Sequence, residues 1–129
     1  MIRTPHEEAN LALVLGMFEA VLNRLDSTAV ARFVSPDYIQ HSQLAPPGRD
    51  ALMAFLDQAK RDTPDAVHDL KRAFVDGDHV ILHYHVRRWP DDSGFAVIDI
   101  FRVEDGMVAE HWDVLQPVDA SGPNPNTMF

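Results

Sequence analysis

The chain has 129 residues and no cysteine, which excludes disulfide bonds, a thiol nucleophile and a thiolate metal site. Basic residues are also scarce: 11 Lys and Arg stand against 20 Asp and Glu, for a formal net charge of -9. Nucleic acids and anionic membrane surfaces are bound by clustered basic side chains, so we expect neither as a partner. The apolar run Leu11 to Phe18 is flanked by acidic residues and lacks a cleavage site, and we therefore expect an unprocessed cytoplasmic protein.

The N-terminal third of the chain has the spacing of helices. Thr4 to Glu7 form a capping box, and apolar residues then recur at helical spacing from Leu11 to Leu25. Asp26 or Ser27 caps a short second helix, which must end before Pro36 because the residue preceding a proline avoids the helical region. These patterns predict two consecutive helices.

The rest of the chain carries one more helix and a series of strands. A brief extended segment covers Tyr38 to His41, and apolar spacing after Gly48 predicts the third helix. Turn clusters rich in Asp and Gly then separate four predicted strands, at about residues 67–75, 79–89, 95–104 and 107–118, and residues 119–129 show no regular pattern. Three helices on one face of a curved antiparallel meander sheet make a single α+β domain over residues 1–129, with a conical cavity between the layers.

Ionisable side chains alternate with apolar ones along three of these strands. They are His83, His85, Asp99, His111 and Asp113. Alternate side chains of a strand share a face, so the two histidines of the first strand point the same way, as do the two residues of the last. Burying such groups among Val, Ile and Phe costs several kcal/mol unless they are paired, so their repeated occurrence predicts a functional site.

The register of the last hairpin decides whether the two aspartates meet. A three-residue loop at 104–106 places Asp99 opposite His111, with Asp113 diagonally adjacent on the same face. A two-residue turn there would place Trp112 opposite Asp99 instead and disperse the cluster, because a slip of one residue moves every side chain to the other face.

The preceding hairpin decides whether the histidines join them. If a five-residue loop at 90–94 connects the strands, His85 lies opposite Asp99 and His83 lies on the same face. Five titratable side chains then converge, with an acid and a base available from the two aspartates and hydrogen-bond donors from the histidines. The predicted walls of the pocket are Phe18, Phe55, Val97, Phe101 and Leu115. This combination predicts proton transfer on an apolar small carbonyl compound.

Five segments carry a resemblance to a known family. They are residues 38–41, 48–52, 97–102, 110–117 and 126–129, among which Glu110-His-Trp-Asp113 together with the closing Asn-Thr-Met-Phe is the most specific. The chain resembles the SnoaL-like polyketide cyclase family of the NTF2-like superfamily, in its small bacterial branch. The resemblance implies a cone-shaped α+β barrel, a homodimer formed through the outer face of the sheet, and acid/base chemistry without a cofactor.

The same resemblance implies roles for individual residues. Asp113 matches the aspartate that moves protons when these cyclases close a ring by aldol condensation. Asp99 and His41 match the supporting positions, where those enzymes have histidine and asparagine, and His111 completes the predicted catalytic set. Tyr38, His83 and His85 join the apolar walls as predicted substrate-binding residues. The leading prediction is a cyclase, lyase or isomerase acting on an apolar carbonyl compound.

Two other functions remain open. Domains of this fold also serve as non-catalytic binding or dimer-scaffold modules, in which Asp99 would be a structural acid and His83 and His85 would face solvent. Alternatively, the His83-Xaa-His85 and His111-Xaa-Asp113 pairs offer the nitrogen and oxygen donors of a zinc or iron site.

Overall fold

The first helix begins at the predicted capping box. In the computed structural model, which describes residues 2–129, helix α1 covers Pro5–Met17. The Glu7 N–H donates to Thr4 Oγ1 over 3.1 Å, and the Thr4 N–H donates to Glu7 Oε1 over 2.9 Å. A π-helical turn over Phe18–Leu22 extends the helix. The predicted start and most of the predicted length of this helix are therefore confirmed.

Two more helices follow as predicted. A 3-10 turn over Ser27–Ala29 leads into the short helix α2, Val30–Phe33. The Asp26 carboxylate accepts from the Thr28 N–H over 3.0 Å, which confirms Asp26 as the cap. Helix α3 covers Arg49–Asp62 and begins directly after the proline-rich loop. None of the described helices is long and apolar enough to cross a membrane.

The sheet has five strands, one more than the predicted meander. The strands are β1 Val34–Gln40, β2 Val67–Asp76, β3 His79–Arg87, β4 Phe95–Glu104 and β5 Met107–Pro117, in the spatial order β1-β5-β4-β3-β2. The last four are antiparallel neighbours as predicted, but β1 pairs in parallel with β5, so the sheet as a whole is mixed. Since β1 and β2 remain edges, the sheet is not closed into the implied barrel.

The β4–β5 hairpin combines a tight turn with a bulge. Its turn has two residues, Asp105 and Gly106, both at positive φ, so the predicted three-residue loop is wrong. An extra residue in β5, Ala109, then restores the predicted faces. Asp99 lies directly opposite Asp113, two residues from the predicted partner, and a shift of two residues keeps every side chain on its predicted face.

The β3–β4 hairpin, in contrast, contradicts the prediction. The last residue pair of the ladder is Val86 with Phe95, so eight residues, 87–94, connect the two strands instead of five. Asp92 organises this loop by accepting from the Arg88 guanidinium and from the Arg88 and Gly94 N–H groups. The longer loop shifts the register by three residues, an odd number that reverses the predicted faces. His83 and His85 therefore point to the outer face of the sheet.

The core lies between the helices and the inner face of the sheet. Helix α1 contributes Val14 and helix α3 contributes Leu56, both fully buried, while the fully buried side chains of the sheet are Val34, Val80, Leu82 and Val108. Complete burial of a Val or Leu side chain contributes roughly 1.5–3 kcal/mol. Residues 119–129 form no helix or strand, as predicted, and the Phe129 ring packs on the outer face of the sheet against His83 and His85.

Candidate functional site

The packing of helix α3 against the inner face of the sheet leaves a cavity of about 350 Å³. Its mouth is apolar, with Leu44 and Phe55 among the exposed large hydrophobic residues. Of the predicted site residues, the cavity is lined by Tyr38, Phe55, Val97, Asp99, Phe101, His111, Asp113 and Leu115. The polar members of this set meet at its buried end, where Asp99 is 2% exposed.

Asp99, His111 and Asp113 form the polar cluster of the cavity. His111 Nε2 lies 2.9 Å from Asp99 Oδ1. One side-chain nitrogen or carboxylate oxygen from each of the three residues lies within 4.8 Å of the other two. The Phe101 ring stacks on the His111 imidazole with 4.7 Å between the ring centres. This stacking and the hydrogen bonds on both sides of the imidazole fix its orientation toward the acids.

Gln40 fixes which ring nitrogen of His111 carries a proton. Its Oε1 accepts from the Ser42 N–H over 3.1 Å and lies 2.7 Å from His111 Nδ1, so this His111 nitrogen must donate. The contact between His111 Nε2 and Asp99 Oδ1 then needs one more proton, carried either by the imidazole or by the carboxyl group. In both cases the Asp99–His111 pair stores one proton beside Asp113.

Two tyrosines add neutral donors near this pair. Burial, reinforced by the negative charge of Asp99, raises the pKa of Tyr38 and that of Tyr84. Both phenols therefore keep their O–H at neutral pH. A hydroxyl donor in a buried, apolar setting is suited to stabilising the negative oxygen of an enolate.

Comparison with known proteins identifies the fold family. A SnoaL-like domain profile matches residues 14–111, three quarters of the chain. The chain belongs to the SnoaL-like domain family. A proposed SnoaL-like polyketide cyclase from Jannaschia sp. CCS1 is 22% identical, with a TM-score of 0.75 over 89% of this chain and 90% of that one. No curated protein matches the chain.

Other solved structures share the SnoaL-like fold. A proposed ketosteroid isomerase from Kribbella flavida DSM 17836 is 20% identical, with a TM-score of 0.72 over 93% of this chain and 85% of that one. TsrD from Streptomyces laurentii is 24% identical, with a TM-score of 0.68 over 83% of this chain and 88% of that one. At these identities the likeness establishes the fold alone.

His41 lies outside the cavity of this SnoaL-like domain, so the prediction that it supports Asp113 there is wrong. Its side chain is 43% exposed on the outer face, where its Nε2 lies 2.7 Å from Glu110 Oε2. Its ring stacks on Trp112 with 4.9 Å between the ring centres. Hydrogen bonds from His41 and Arg102 lower the pKa of Glu110. The cause is the alternation of side chains along the chain. Gln40 points into the cavity, so the next residue, His41, points to the outer face.

His83 and His85 are also outside, so the predicted convergence of five titratable side chains is reduced to three. His83 contacts the Arg72 guanidinium, and His85 Nε2 donates to the Ser93 carbonyl oxygen over 2.7 Å. Desolvation and nearby basic groups lower the pKa of His83. Among the predicted walls, Phe18 is the exception: it is buried behind Tyr84, with 5.2 Å between the ring centres, and does not reach the cavity.

The polar residues of the cavity that were not predicted include Gln40, Tyr84 and His68. Alternation could have found Gln40, which shares a face with Tyr38 on β1. Tyr84 lies between His83 and His85 on β3, so the correct register would have shown that its side chain faces the cavity. His68 stands in a strand of mixed polarity near a bulge, and no pattern in the sequence marks it as inward-facing.

The Asp99, His111 and Asp113 cluster has the donor atoms for a divalent metal ion. The predicted ligand set is wrong, since His83 and His85 are on the opposite face of the sheet. The remaining set supplies one nitrogen and two carboxylates, and the other nitrogen of His111 is anchored by Gln40, as is usual for metal-binding histidines. A metal ion would displace the proton shared by Asp99 and His111.

Proposed function

We propose that this SnoaL-like protein is an acid/base enzyme that enolises an apolar carbonyl compound without a cofactor, with Asp113 as the proton shuttle. The observation that carries the proposal is the position of Asp113 directly opposite Asp99 in an apolar cavity, beside a histidine that shares a proton with Asp99. Proton transfer on a carbonyl compound needs at least a general base and a nearby acidic proton, and this arrangement supplies both.

The reaction begins at the carbon next to the carbonyl group. Asp113 takes a proton from that carbon, the electrons of the C–H bond form the enolate, and the negative charge develops on the oxygen. The Asp99–His111 proton or a tyrosine hydroxyl stabilises that oxygen by hydrogen bonding. The apolar walls exclude water and so strengthen this interaction.

Two outcomes follow from the same enolate. Attack of its carbon on a second carbonyl carbon forms a C–C bond as the C=O π electrons move to oxygen, and Asp113 returns its proton to the new alkoxide, which completes an aldol addition that closes the ring when both carbonyl groups belong to one molecule. Return of the proton to a different carbon instead completes an isomerisation. The fold neighbours include proposed enzymes of both kinds, a polyketide cyclase and a ketosteroid isomerase. We favour the aldol-type cyclase or lyase, because the resembling segments include the strand that carries Asp113.

Enolisation can be measured without knowing the substrate. We expect the wild-type protein to accelerate the exchange of the α-hydrogens of 2-tetralone for deuterium in D₂O, followed by proton NMR, and to do so equally in the presence of EDTA. Binding of 2-tetralone without accelerated exchange would contradict the proposal and favour a non-catalytic binding module. Exchange that EDTA removes and zinc restores would favour the metal site.

We also propose that the outer face of the sheet forms a homodimer, as the family resemblance implies. Val114 on this face is 70% exposed and lies opposite Ile98 in the sheet register, so an apolar strip faces outward. Light scattering should give twice the chain mass, and Val114→Asp should give a monomer because it buries a charge in the interface. Leu44→Asp, at the cavity mouth, is the control that should remain dimeric. A monomeric wild-type protein would refute this assignment.

A further inference from the structure

His68 is a polar cavity residue that the proposed proton transfer does not use. It lies on β2 opposite Val86, and its side chain lines the cavity. Its ring packs between two aromatic side chains, with centroid distances of 6.3 Å to Phe18 and 5.9 Å to Tyr84. Its Nδ1 is buried and has no hydrogen-bond partner within residues 2–129. A buried polar atom without a partner requires an explanation.

The surroundings of His68 define its tautomer. Burial lowers the pKa of the ring, which keeps it neutral with a single N–H. An unpaired N–H is the rarer and costlier group to bury, so the enclosed Nδ1 carries the lone pair and the proton resides on Nε2. Nε2, unlike Nδ1, is not a buried atom without a partner. It is therefore the atom that can donate a hydrogen bond into the cavity.

His68 and the acid cluster are well separated along the sheet. Val86, which pairs with His68, is four residues along β3 from Leu82, which pairs with Asp99. Four residues of strand correspond to about 13 Å, and the side chains shorten this gap as they point into the cavity. A ligand that contacts both ends is therefore elongated, as a frame of two fused six-membered rings is.

We propose that His68 Nε2–H donates a hydrogen bond to a second oxygen of the substrate, so that the substrate class is an elongated apolar compound with two oxygen functions. This inference rests on the proposed function, which places the reacting carbonyl group at Asp113. The distal oxygen is an acceptor, such as a carbonyl oxygen, because His68 offers a donor. His68 is thus a specificity-determining residue that fixes which end of the substrate reaches the acids.

A matched pair of ligands tests the assignment. 2-Naphthol imitates an enol for the acid cluster, and 6-acetyl-2-naphthol adds an acceptor oxygen at the far end. We expect the acetyl compound to bind the wild-type protein about tenfold more tightly in a fluorescence titration. His68→Phe should abolish that gain and leave the affinity for 2-naphthol within about twofold, since only one hydrogen bond is lost. His68→Gln, which keeps an N–H donor, should retain part of the gain.

Controls separate this inference from the proposed function. His6→Phe, a change of the same kind at an exposed residue, should leave both affinities unchanged. Nitrogen-15 NMR of the ligand-free protein should show His68 neutral with its proton on Nε2. An Nδ1–H tautomer, a gain that survives His68→Phe, or failure of both naphthols to bind would overturn the inference. Failure of the proposed function alone would appear differently, as normal naphthol binding without deuterium exchange of 2-tetralone.

Discussion

An Asp113→Asn variant is expected to exchange the α-hydrogens of 2-tetralone about 10²- to 10⁴-fold more slowly than the wild-type protein, the usual contribution of a positioned general base. Asparagine has nearly the same shape as aspartate but cannot accept the proton from carbon. The Asp99–His111 hydrogen bond of 2.9 Å does not involve Asp113, so the substitution leaves that pair in place. Binding of 2-naphthol should persist, which separates loss of the base from loss of the cavity.

A matched exposed residue provides the control for this experiment. Asp37→Asn changes a solvent-exposed aspartate on β1, next to the inward-facing Tyr38, and should exchange 2-tetralone at the wild-type rate. The opposite assignment of roles is also open to measurement. If Asp113→Asn retains full exchange and Asp99→Asn loses it, then Asp99 is the base and the proposed shuttle is wrong.

The secondary structure could be predicted because it depends on local chemistry. The capping box at Thr4, the cap at Asp26 and the turn clusters act within a few residues, and the ends of the four strands predicted after residue 66 lie within two residues of those observed, whereas β1 begins four residues before the predicted extended segment. The parallel pairing of β1 with β5 could not be predicted in this way. It joins segments some seventy residues apart, and no local pattern specifies which edge of the sheet the early strand will take.

The candidate site was predicted only in part, because strand register decides which face of the sheet each residue occupies. In the β4–β5 hairpin the bulge at Ala109 offset the shorter turn, so Asp99 and Asp113 still share a face. In the β3–β4 hairpin the loop held by Asp92 shifted the strands by an odd number of residues, which moved His85 outward. Loop length in a hairpin depends on side-chain hydrogen bonds that composition does not reveal. Strand identity is therefore easier to predict than the face a residue occupies.

His111→Leu is expected to lower the free energy of unfolding by about 3–5 kcal/mol, because it leaves Asp99 buried without its partner. The Asp99 side chain is 3% exposed and the His111 side chain 11% exposed, so the pair is largely shielded from solvent. Urea unfolding followed by circular dichroism measures the change. His79→Leu removes a histidine from a solvent-exposed pair with Asp78, also at 2.9 Å, and should cost less than about 1 kcal/mol. Equal losses in the two variants would show that the inner pair is not desolvated.

A double variant tests whether the buried Asp99–His111 pair serves stability or activity. Asp99→Leu combined with His111→Leu replaces both partners by apolar side chains of similar size, and such replacements are often neutral or stabilising. We expect the double variant to recover most of the stability that His111→Leu loses, and to show no accelerated exchange of 2-tetralone. If the double variant is instead as unstable as His111→Leu, the Asp99–His111 pair is needed for the stability of the fold. Recovery of stability without activity would mean that the Asp99–His111 pair is kept for its shared proton rather than for its contribution to folding.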